Sequence, residues 1–270
     1  MTTLHLIILA VIQGLTEFLP VSSSGHLVLL PHILKWQDQG FIVDVALHVG
    51  TLMAVILYFK YEIRLMIRDC FSYVLGGFKK GEMTPFVWLS FCLIIATLPA
   101  VGVGFFIKKS MPEWFRNPLT IAATSAIFGV VLYAVDRGSK TLKSMETMTL
   151  KEALIIGFIQ CLALVPGTSR SGSCMWAARL LNFDRQSAAR FSFLLSLPAI
   201  IAAATLTFVD VLKSGQTLPW QELGLSVGVS FLVGLGAIHF LLEFLKKRSF
   251  LIFMLYRLAL AVFLVWFFWS

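Results

Sequence analysis

The sequence predicts an all-α polytopic membrane protein, and two observations carry that prediction. Of the 270 residues, 58% are hydrophobic and only 13% are charged, whereas a soluble domain carries roughly 25% charged residues. The apolar residues also form long unbroken runs, and a membrane β-barrel would instead show short segments of alternating hydrophobicity. We therefore predict helices that cross a bilayer.

The first half begins with two apolar segments, residues 4–18 and 27–34, that are too short to span, because a bilayer needs roughly 20 residues. A proline and a polar stretch separate them. They predict a re-entrant helical hairpin with a polar tip, which must be buried in protein or line a wet cavity. Three spans are predicted next, at about 41–59, 86–107 and 119–135.

A polar segment at 136–151 follows, and then the pattern restarts with another short hairpin, 153–165 and 174–181. Three more spans are predicted at about 188–209, 223–245 and 250–269. An odd number of spans per half inverts the second half, as in transporters with broken helices. We predict one integral membrane domain, 1–270, with inverted-topology repeat halves at about 1–140 and 141–270. A chance likeness of two proline–serine turns is the alternative.

Lysine and arginine residues set the expected orientation, because cytoplasmic loops are enriched in them. Fifteen fall on one predicted side and five on the other. The basic loops would touch anionic headgroups, so the net charge of +8 does not indicate a nucleic-acid partner. The richer side holds Lys60, Arg64, Arg68, Lys79, Lys80, Arg137, Lys140, Lys143, Lys151, Arg179, Arg185, Arg190, Lys246, Lys247 and Arg248; the poorer side holds Lys35, Lys108, Lys109, Arg116 and Lys213. Both termini are therefore expected on the outer face.

A first polar island covers residues 13–26, QGLTEFLPVSSSGH. Ionisable groups at membrane depth are costly and mark functional sites by default. Gln13 and Glu17 are four residues apart and share a helical face. Their oxygens could hold a hard cation, Mg²⁺ or Ca²⁺, completed by phosphate oxygens and water. The alternative is a structural hydrogen bond from Glu17 to the second hairpin.

Ser22, Ser23 and Ser24 are expected to begin the returning helix, because serine is a preferred N-cap residue. Free N–H groups at a helix start bind anions. A serine hydroxyl can also attack phosphorus when a base removes its proton, and the candidate bases are Glu17 and His26. The alternative is that the serines only cap and turn the chain.

A second polar island covers residues 166–173, PGTSRSGS, and supplies the positive charge that the first lacks. A guanidinium binds phosphate bidentately and stays charged in an apolar site, so Arg170 is predicted to clamp phosphate. An ion pair with Glu17 alone is the alternative. The residues expected to contact the substrate are Gly167, Thr168, Ser169 and Ser171 in this island, with Ser22 and Ser24 in the first.

Three polar residues outside the islands are less informative. Asp44 and His48 are spaced i,i+4, so a mutual pair is a simpler expectation than catalysis. Arg257 lies within the last predicted span and needs a partner, which the sequence does not identify.

The two islands resemble the signatures of a known family. QGLTEFLPVSS resembles the [EQ]xxxE and serine-rich signature of undecaprenyl pyrophosphate phosphatases, the bacitracin-resistance family, and PGTSRS resembles its PGxSRSxxT signature. The resemblance covers nearly the whole chain. It implies an integral membrane enzyme that hydrolyses the C55 isoprenoid diphosphate to the monophosphate with a divalent cation, recycles the lipid carrier of cell-wall synthesis and confers bacitracin resistance.

The resemblance also implies where the chemistry lies. The site would open to the outer face of the cytoplasmic membrane, with Glu17, Ser23, His26 and Arg170 central and with Ser22, Ser169 and Ser171 in support. The nucleophile stays open between Ser23, His26 and water. Two positions depart from the family pattern. Gln13 stands at the first position of the carboxylate pair, so one negative charge fewer is available to bind a cation. Cys174 stands where the second signature ends in threonine.

Two rival functions share parts of this pattern. Type-2 phosphatidic acid phosphatases have a Ser-Gly-His element like Ser24–His26. They also need an Arg-Pro dipeptide, which this sequence lacks, and a histidine where this sequence has Trp176, so we reject this rival. A lipid-phosphate transporter or flippase fits an inverted repeat, whereas a serine beside a base and a guanidinium favours hydrolysis. The expected partners are the bilayer and the diphosphate lipid, and the oligomeric state, monomer or homodimer, stays open.

Overall fold

The computed structural model describes residues 2–78, 83–107, 117–214 and 218–269. This part of the chain is helical without β-strands, and an isolated β-bridge joins Lys143 to Phe183. The helices are α1 (Thr3–Phe18), α2 (Ser23–Leu34), α3 (Gly40–Tyr58), α4 (Lys60–Leu75), α5 (Pro85–Ile107), α6 (Pro118–Gly138), α7 (Leu150–Gln160), α8 (Arg170–Leu180), α9 (Arg185–Ser214), α10 (Trp220–Leu245) and α11 (Leu251–Trp269).

Six of the described helices are long and apolar enough to cross a membrane, namely α3, α5, α6, α9, α10 and α11. They coincide with the six predicted spans, so the polytopic all-α fold class is confirmed. Helix α4 was not predicted, because its charged residues interrupt every apolar run. It follows α3 directly and is too polar to span.

The structure describes only part of the basic side chains that set the expected orientation. Lys79, Lys80, Lys108, Lys109 and Arg116 lie outside the described residues, as does the side chain of Lys213. Arg179 is not a loop residue as counted. Its side chain is buried, and its Nε donates to Asp136 Oδ1 at 2.7 Å. Removing it from the count leaves the excess of basic residues on the same side.

Two short hairpins stand where the sequence predicts them. Helix α1 packs on α2, and α7 packs on α8. Helix α1 ends at Phe18, two residues before Pro20, because proline cannot continue a helix. Helix α7 begins with a capping box between Thr149 and Glu152, and a 3₁₀ turn, Cys161–Leu164, leads to its tip. That these hairpins enter the bilayer and return stays a prediction.

The two returning helices begin in the same way. Ser22 caps α2 with φ 74°, and Ser169 caps α8 with φ 75°, in the left-handed region that residues other than glycine rarely adopt. Each serine Oγ accepts a backbone N–H three residues on, from Gly25 at 3.4 Å and Gly172 at 3.1 Å. The predicted serine N-cap is thus present at both tips.

Each hairpin packs against a span of the other half of the chain. Helix α1 lies on α10, and α7 lies on α5. Both contacts depend on glycine: a Cβ at Gly14 would lie 2.7 Å from Val233 Cβ, and one at Gly157 would lie 2.4 Å from the Ala96 carbonyl oxygen. The halves are therefore interlocked rather than side by side.

The last span of each half packs against the other, and the two run antiparallel. At the middle of α6, Gly129 touches Arg257 in the first half of α11. Toward the start of α6, Ile121 clusters with Leu264 in the second half of α11. Antiparallel pairing is what inverted halves require, since equivalent helices then point in opposite directions.

The main hydrophobic core surrounds α8. Its Cys174, Met175, Ala177 and Ala178 are fully buried, and the helix packs on α6, α7 and α9. This packing fixes the position of the first residue of α8, Arg170.

Candidate active site

Glu17 and Arg170 meet between the two hairpin tips. Arg170 Nη2 donates to Glu17 Oε1 at 2.6 Å, and Nη1 donates to the carbonyl oxygen of Ser192 at 2.9 Å. The carboxylate is buried, and pairing compensates for its loss of water. The two bonds use two of the five N–H groups of the guanidinium, so donors remain for a further anion.

The second oxygen of Glu17 binds the first serine of α2. Ser23 Oγ donates to Glu17 Oε2 at 2.6 Å, and Gln13 Nε2 donates to the same oxygen at 3.0 Å. A serine hydroxyl bonded to a carboxylate is a nucleophile beside a base. Of the two candidate bases for Ser23, the geometry favours Glu17.

His26 has other partners. Its Nδ1 lies 2.7 Å from the carbonyl oxygen of Ser22, and its Nε2 lies 2.6 Å from the hydroxyl of Tyr256. A carbonyl only accepts, so Nδ1 carries a proton, and Nε2 of a neutral ring accepts from Tyr256. Tyr256 belongs to α11. Tyr256-Arg257 also resembles the family pattern, but no role in the site was assigned to Tyr256, because its contact joins residues 230 apart in the chain.

His48 is a second residue that the sequence analysis did not place in the site. Its Nδ1 lies 2.7 Å from the backbone oxygen of Asp44, and its Nε2 faces Glu17 Oε2 at 3.5 Å. The expectation of a simple pair with Asp44 was therefore incomplete. The i,i+4 spacing gave a local explanation, while the contact with Glu17 depends on the packing of α1 on α3.

The other predicted substrate-binding serines line the turns. Ser22 Oγ lies 3.5 Å from Ser24 Oγ, and Ser169 Oγ lies 3.2 Å from Ser171 Oγ. Ser171 also donates to the carbonyl oxygen of Leu19 at 3.2 Å, which ties the second hairpin to the first.

Arg257 joins both hairpin tips to α6. Its guanidinium is buried, and within the described part of the chain its hydrogen bonds go to backbone carbonyl oxygens. The acceptors are Ser125 at 2.9 Å, Pro20 at 3.4 Å, Thr124 at 3.3 Å, Gly167 at 2.7 Å and Thr168 at 3.1 Å. The partner that the sequence could not identify is therefore the irregular backbone of the tips.

Gly167 and Thr168 sit in the turn that Arg257 holds. Gly167 has φ +89°, and a Cβ there would lie 2.0 Å from Thr124 Oγ1, so only glycine fits. The buried hydroxyl of Thr168 has no hydrogen-bond partner among the described residues.

The departure at Cys174 lies one helical turn after Arg170 on α8. Cys174 Sγ lies 3.4 Å from Gln160 Oε1, inside the second hairpin. Ser173 donates to the carbonyl oxygen of Ser169 at 2.8 Å. Its hydroxyl therefore serves its own helix and does not replace the missing threonine.

A divalent cation fits this site only in part. Among the described residues, no group of three or more His, Cys, Asp or Glu side chains could hold a metal ion. The buried Oε1 of Gln13, however, has no hydrogen-bond partner in the described structure, and it belongs to a side chain bonded to Glu17. Amide and carboxylate oxygens suit Mg²⁺ and Ca²⁺, so the site fits a cation that brings its remaining ligands from substrate and water.

Fold and site together define a polytopic membrane protein in which two short hairpins hold a serine, a carboxylate and a guanidinium in contact. The family described as "Bacitracin resistance protein BacA" matches residues 6–263, and the chain belongs to that family. The chain is similar to the undecaprenyl-diphosphatase of Chromohalobacter salexigens, with 47% identity over 98% of this chain and 99% of the relative. It is also similar to those of Alteromonas mediterranea (44%; 99% of each chain) and Nitrosococcus oceani (41%; 99% of this chain and all of the relative).

Proposed function

We propose that the contact between Ser23, Glu17 and Arg170 is the place where this protein dephosphorylates undecaprenyl diphosphate. The activity, hydrolysis of a phosphoric anhydride, is that of the relatives with which the chain aligns over nearly its full length. The observation that carries the assignment to these residues is the 2.6 Å hydrogen bond from the Ser23 hydroxyl to the Glu17 carboxylate.

In the first step, Glu17 takes the proton of Ser23, and Ser23 Oγ attacks the terminal phosphorus. The bond to the bridging oxygen breaks, and the lipid monophosphate leaves. The remaining N–H groups of Arg170 bind the transferring phosphoryl oxygens. Stabilisation of this charge is the main catalytic term in phosphoryl transfer.

In the second step, water hydrolyses the phosphoserine and releases phosphate. His26 is placed to serve here, because its Nδ1–H is held by the Ser22 carbonyl and its Nε2 is then the basic nitrogen. When Tyr256 gives way to substrate, that nitrogen accepts the proton of the attacking water. The hydrogen bond from the Ser23 hydroxyl to Glu17 supports Ser23 rather than His26 as the nucleophile.

A divalent cation, Mg²⁺ or Ca²⁺, held by Gln13 Oε1 and Glu17 would neutralise phosphate charge. The low number of protein ligands supports a cation that arrives with the diphosphate.

We place the protein in the bacterial cytoplasmic membrane, with its two halves inverted and its site open to the outer face. The excess of lysine and arginine on one side supports this orientation. The reciprocal packing of the hairpins and the antiparallel pair α6–α11 support the inversion. All the residues assigned to the site come from one chain, so the proposed chemistry does not require a homodimer.

The test uses purified protein in detergent with C55 diphosphate and Mg²⁺. Wild type is expected to release phosphate, and Ser23→Ala or Arg170→Ala is expected to reduce release at least about 10³-fold, as loss of a nucleophile or of phosphoryl-charge stabilisation does. Ser72→Ala, on the exposed face of α4, is the matched control. A wild-type protein that binds the lipid and releases no phosphate would instead favour the hypothesis of a lipid-phosphate transporter or flippase.

A further inference from the structure

Helix α4 presents an exposed face that combines basic and apolar side chains. Lys60, Arg64 and Arg68 follow one another at i,i+4 spacing and form one row, and all three are exposed. Ile67, Phe71 and Leu75 form a neighbouring row at the same spacing, and they are 67%, 66% and 72% exposed. The apolar row would be unfavourable in water and the basic row would be unfavourable in hydrocarbon, so the face suits an interface between water and lipid.

Both acidic residues of α4 are paired. Glu62 accepts from Arg190 Nη2 of α9 at 3.0 Å. Asp69 is buried and accepts from Thr84 Oγ1 at 2.8 Å and from Arg68 Nε at 2.8 Å. These hydrogen bonds hold the pKa of Asp69 below its usual value. The bonds to Arg190 and Thr84 attach α4 to the bundle. Arg68 is paired with Asp69, and Lys60 and Arg64 remain on the outward face.

A groove runs between the end of α3 and this face. Its volume is about 380 Å³. Isoleucines 56, 63 and 67 form its apolar floor, and Lys60, Arg64 and Arg68 form its rim. Ile56 belongs to the membrane span α3 and is 42% exposed. The groove therefore begins on a lipid-facing span and ends among cations.

We propose that this groove binds an anionic phospholipid of the surrounding leaflet. The phosphate would lie at Lys60 and Arg64, and an acyl chain would lie along the three isoleucines. A bare phosphate ion would use the rim and leave the floor exposed, and an acidic protein would have to compete with lipid for a surface continuous with α3. Charge complementarity and this continuity both favour the lipid. The site is separate from the catalytic cluster, and its assignment does not depend on the proposed function.

The test is native mass spectrometry of the full-length protein in detergent with dioleoyl phosphatidylglycerol. Lys60→Gln/Arg64→Gln is expected to bind this lipid roughly 30-fold more weakly, because each basic side chain at an anionic surface supplies about a fivefold factor. Lys246→Gln/Lys247→Gln removes two charges on the same side, since α3 and α10 lie parallel with Tyr58 beside His239, and it should bind nearly as wild type does.

Further measurements distinguish binding of the lipid headgroup, binding of the acyl chain and binding of free phosphate. Phosphatidylcholine with the same acyl chains should bind far more weakly than phosphatidylglycerol, and 10-fold more salt should weaken phosphatidylglycerol binding to the wild type. Ile67→Ser keeps every charge and should still lower lipid binding severalfold. Excess inorganic phosphate should not displace the lipid. Equal loss in both double variants, equal binding of the two lipids, or displacement by phosphate would each overturn the proposal.

Discussion

At the scale of single residues, the site is built from charges that would be unstable alone. Glu17 is buried, and it is stable there because Arg170, Ser23 and Gln13 all donate to it. A buried carboxylate that loses its cation is left uncompensated. The same contacts that stabilise the fold therefore pre-position the proposed nucleophile, base and phosphate ligand.

A second carboxylate at position 13 should alter cation use. In Gln13→Glu, the unpartnered amide oxygen becomes a charged ligand beside Glu17, and additional ligand charge strengthens binding of hard cations. We expect the Mg²⁺ concentration for half-maximal phosphate release to fall severalfold. Gln13→Leu, which removes the oxygen at similar size, should raise it. Identical Mg²⁺ dependence in all three proteins would exclude position 13 from the cation site.

Cys174→Thr should leave catalysis nearly unchanged, within about twofold. The reason is geometric: Cys174 Sγ donates to Gln160 Oε1, and within the described part of the chain no hydrogen bond joins it to Glu17, Ser23 or His26. The measurement is kcat for phosphate release, with Ser171→Ala as a comparison that does remove a hydroxyl linking the hairpins. A large gain in kcat on restoring threonine would contradict this placement.

At the scale of elements, the hairpins are held by close helix contacts at glycine. Gly14→Ala and Gly157→Ala should each destabilise the protein by about 1–3 kcal/mol, the usual cost of overpacking, because their Cβ atoms would collide with α10 and α5. Gly236→Ala, in α10 with open space around it, should stabilise slightly through helix propensity. Thermal unfolding in detergent measures whether each of the three variants is less or more stable than the wild type. Destabilisation at position 236 equal to that at 157 would indicate that packing is not the cause.

At the scale of the whole molecule, Arg257 connects α11 to both tips and to α6. Arg257→Lys keeps the charge but cannot reach the same set of carbonyls, because an ammonium lacks the planar fork. We expect a lower melting temperature and at least a tenfold fall in kcat, with Arg248→Lys, in the chain segment before α11, as control. A variant with normal stability and normal kcat would show that the hairpin tips keep their conformation without the hydrogen bonds of Arg257.

The orientation of the whole molecule is tested by thiol labelling. In a background with the four cysteines replaced by alanine, Gln37→Cys lies in the exposed link before α3, and Lys140→Cys lies in the exposed link after α6. An impermeant reagent applied to intact spheroplasts should label position 37 and spare position 140. The reverse pattern would invert the proposed topology and place the site on the cytoplasmic side.

The sequence by itself determined the features that depend on local patterns. Run length and composition located the six spans, because a bilayer demands long apolar helices. Proline and serine located the two tips, and an arginine in one tip with a carboxylate in the other already indicated a joint site. Each of these signals is carried by residues close together in the sequence, so each can be recognised without coordinates.

The tertiary structure decided what depends on which distant segments touch. In the structure Ser23 donates to Glu17, and His26 contacts Tyr256 rather than Ser23. His48 lies beside Glu17, and Arg257 binds the backbone of both tips. The structure also revealed α4 and the pairing of its acidic residues. The physical reason is that these partners are set by helix packing across the bundle, and packing between segments far apart in the chain leaves no periodic trace in either one.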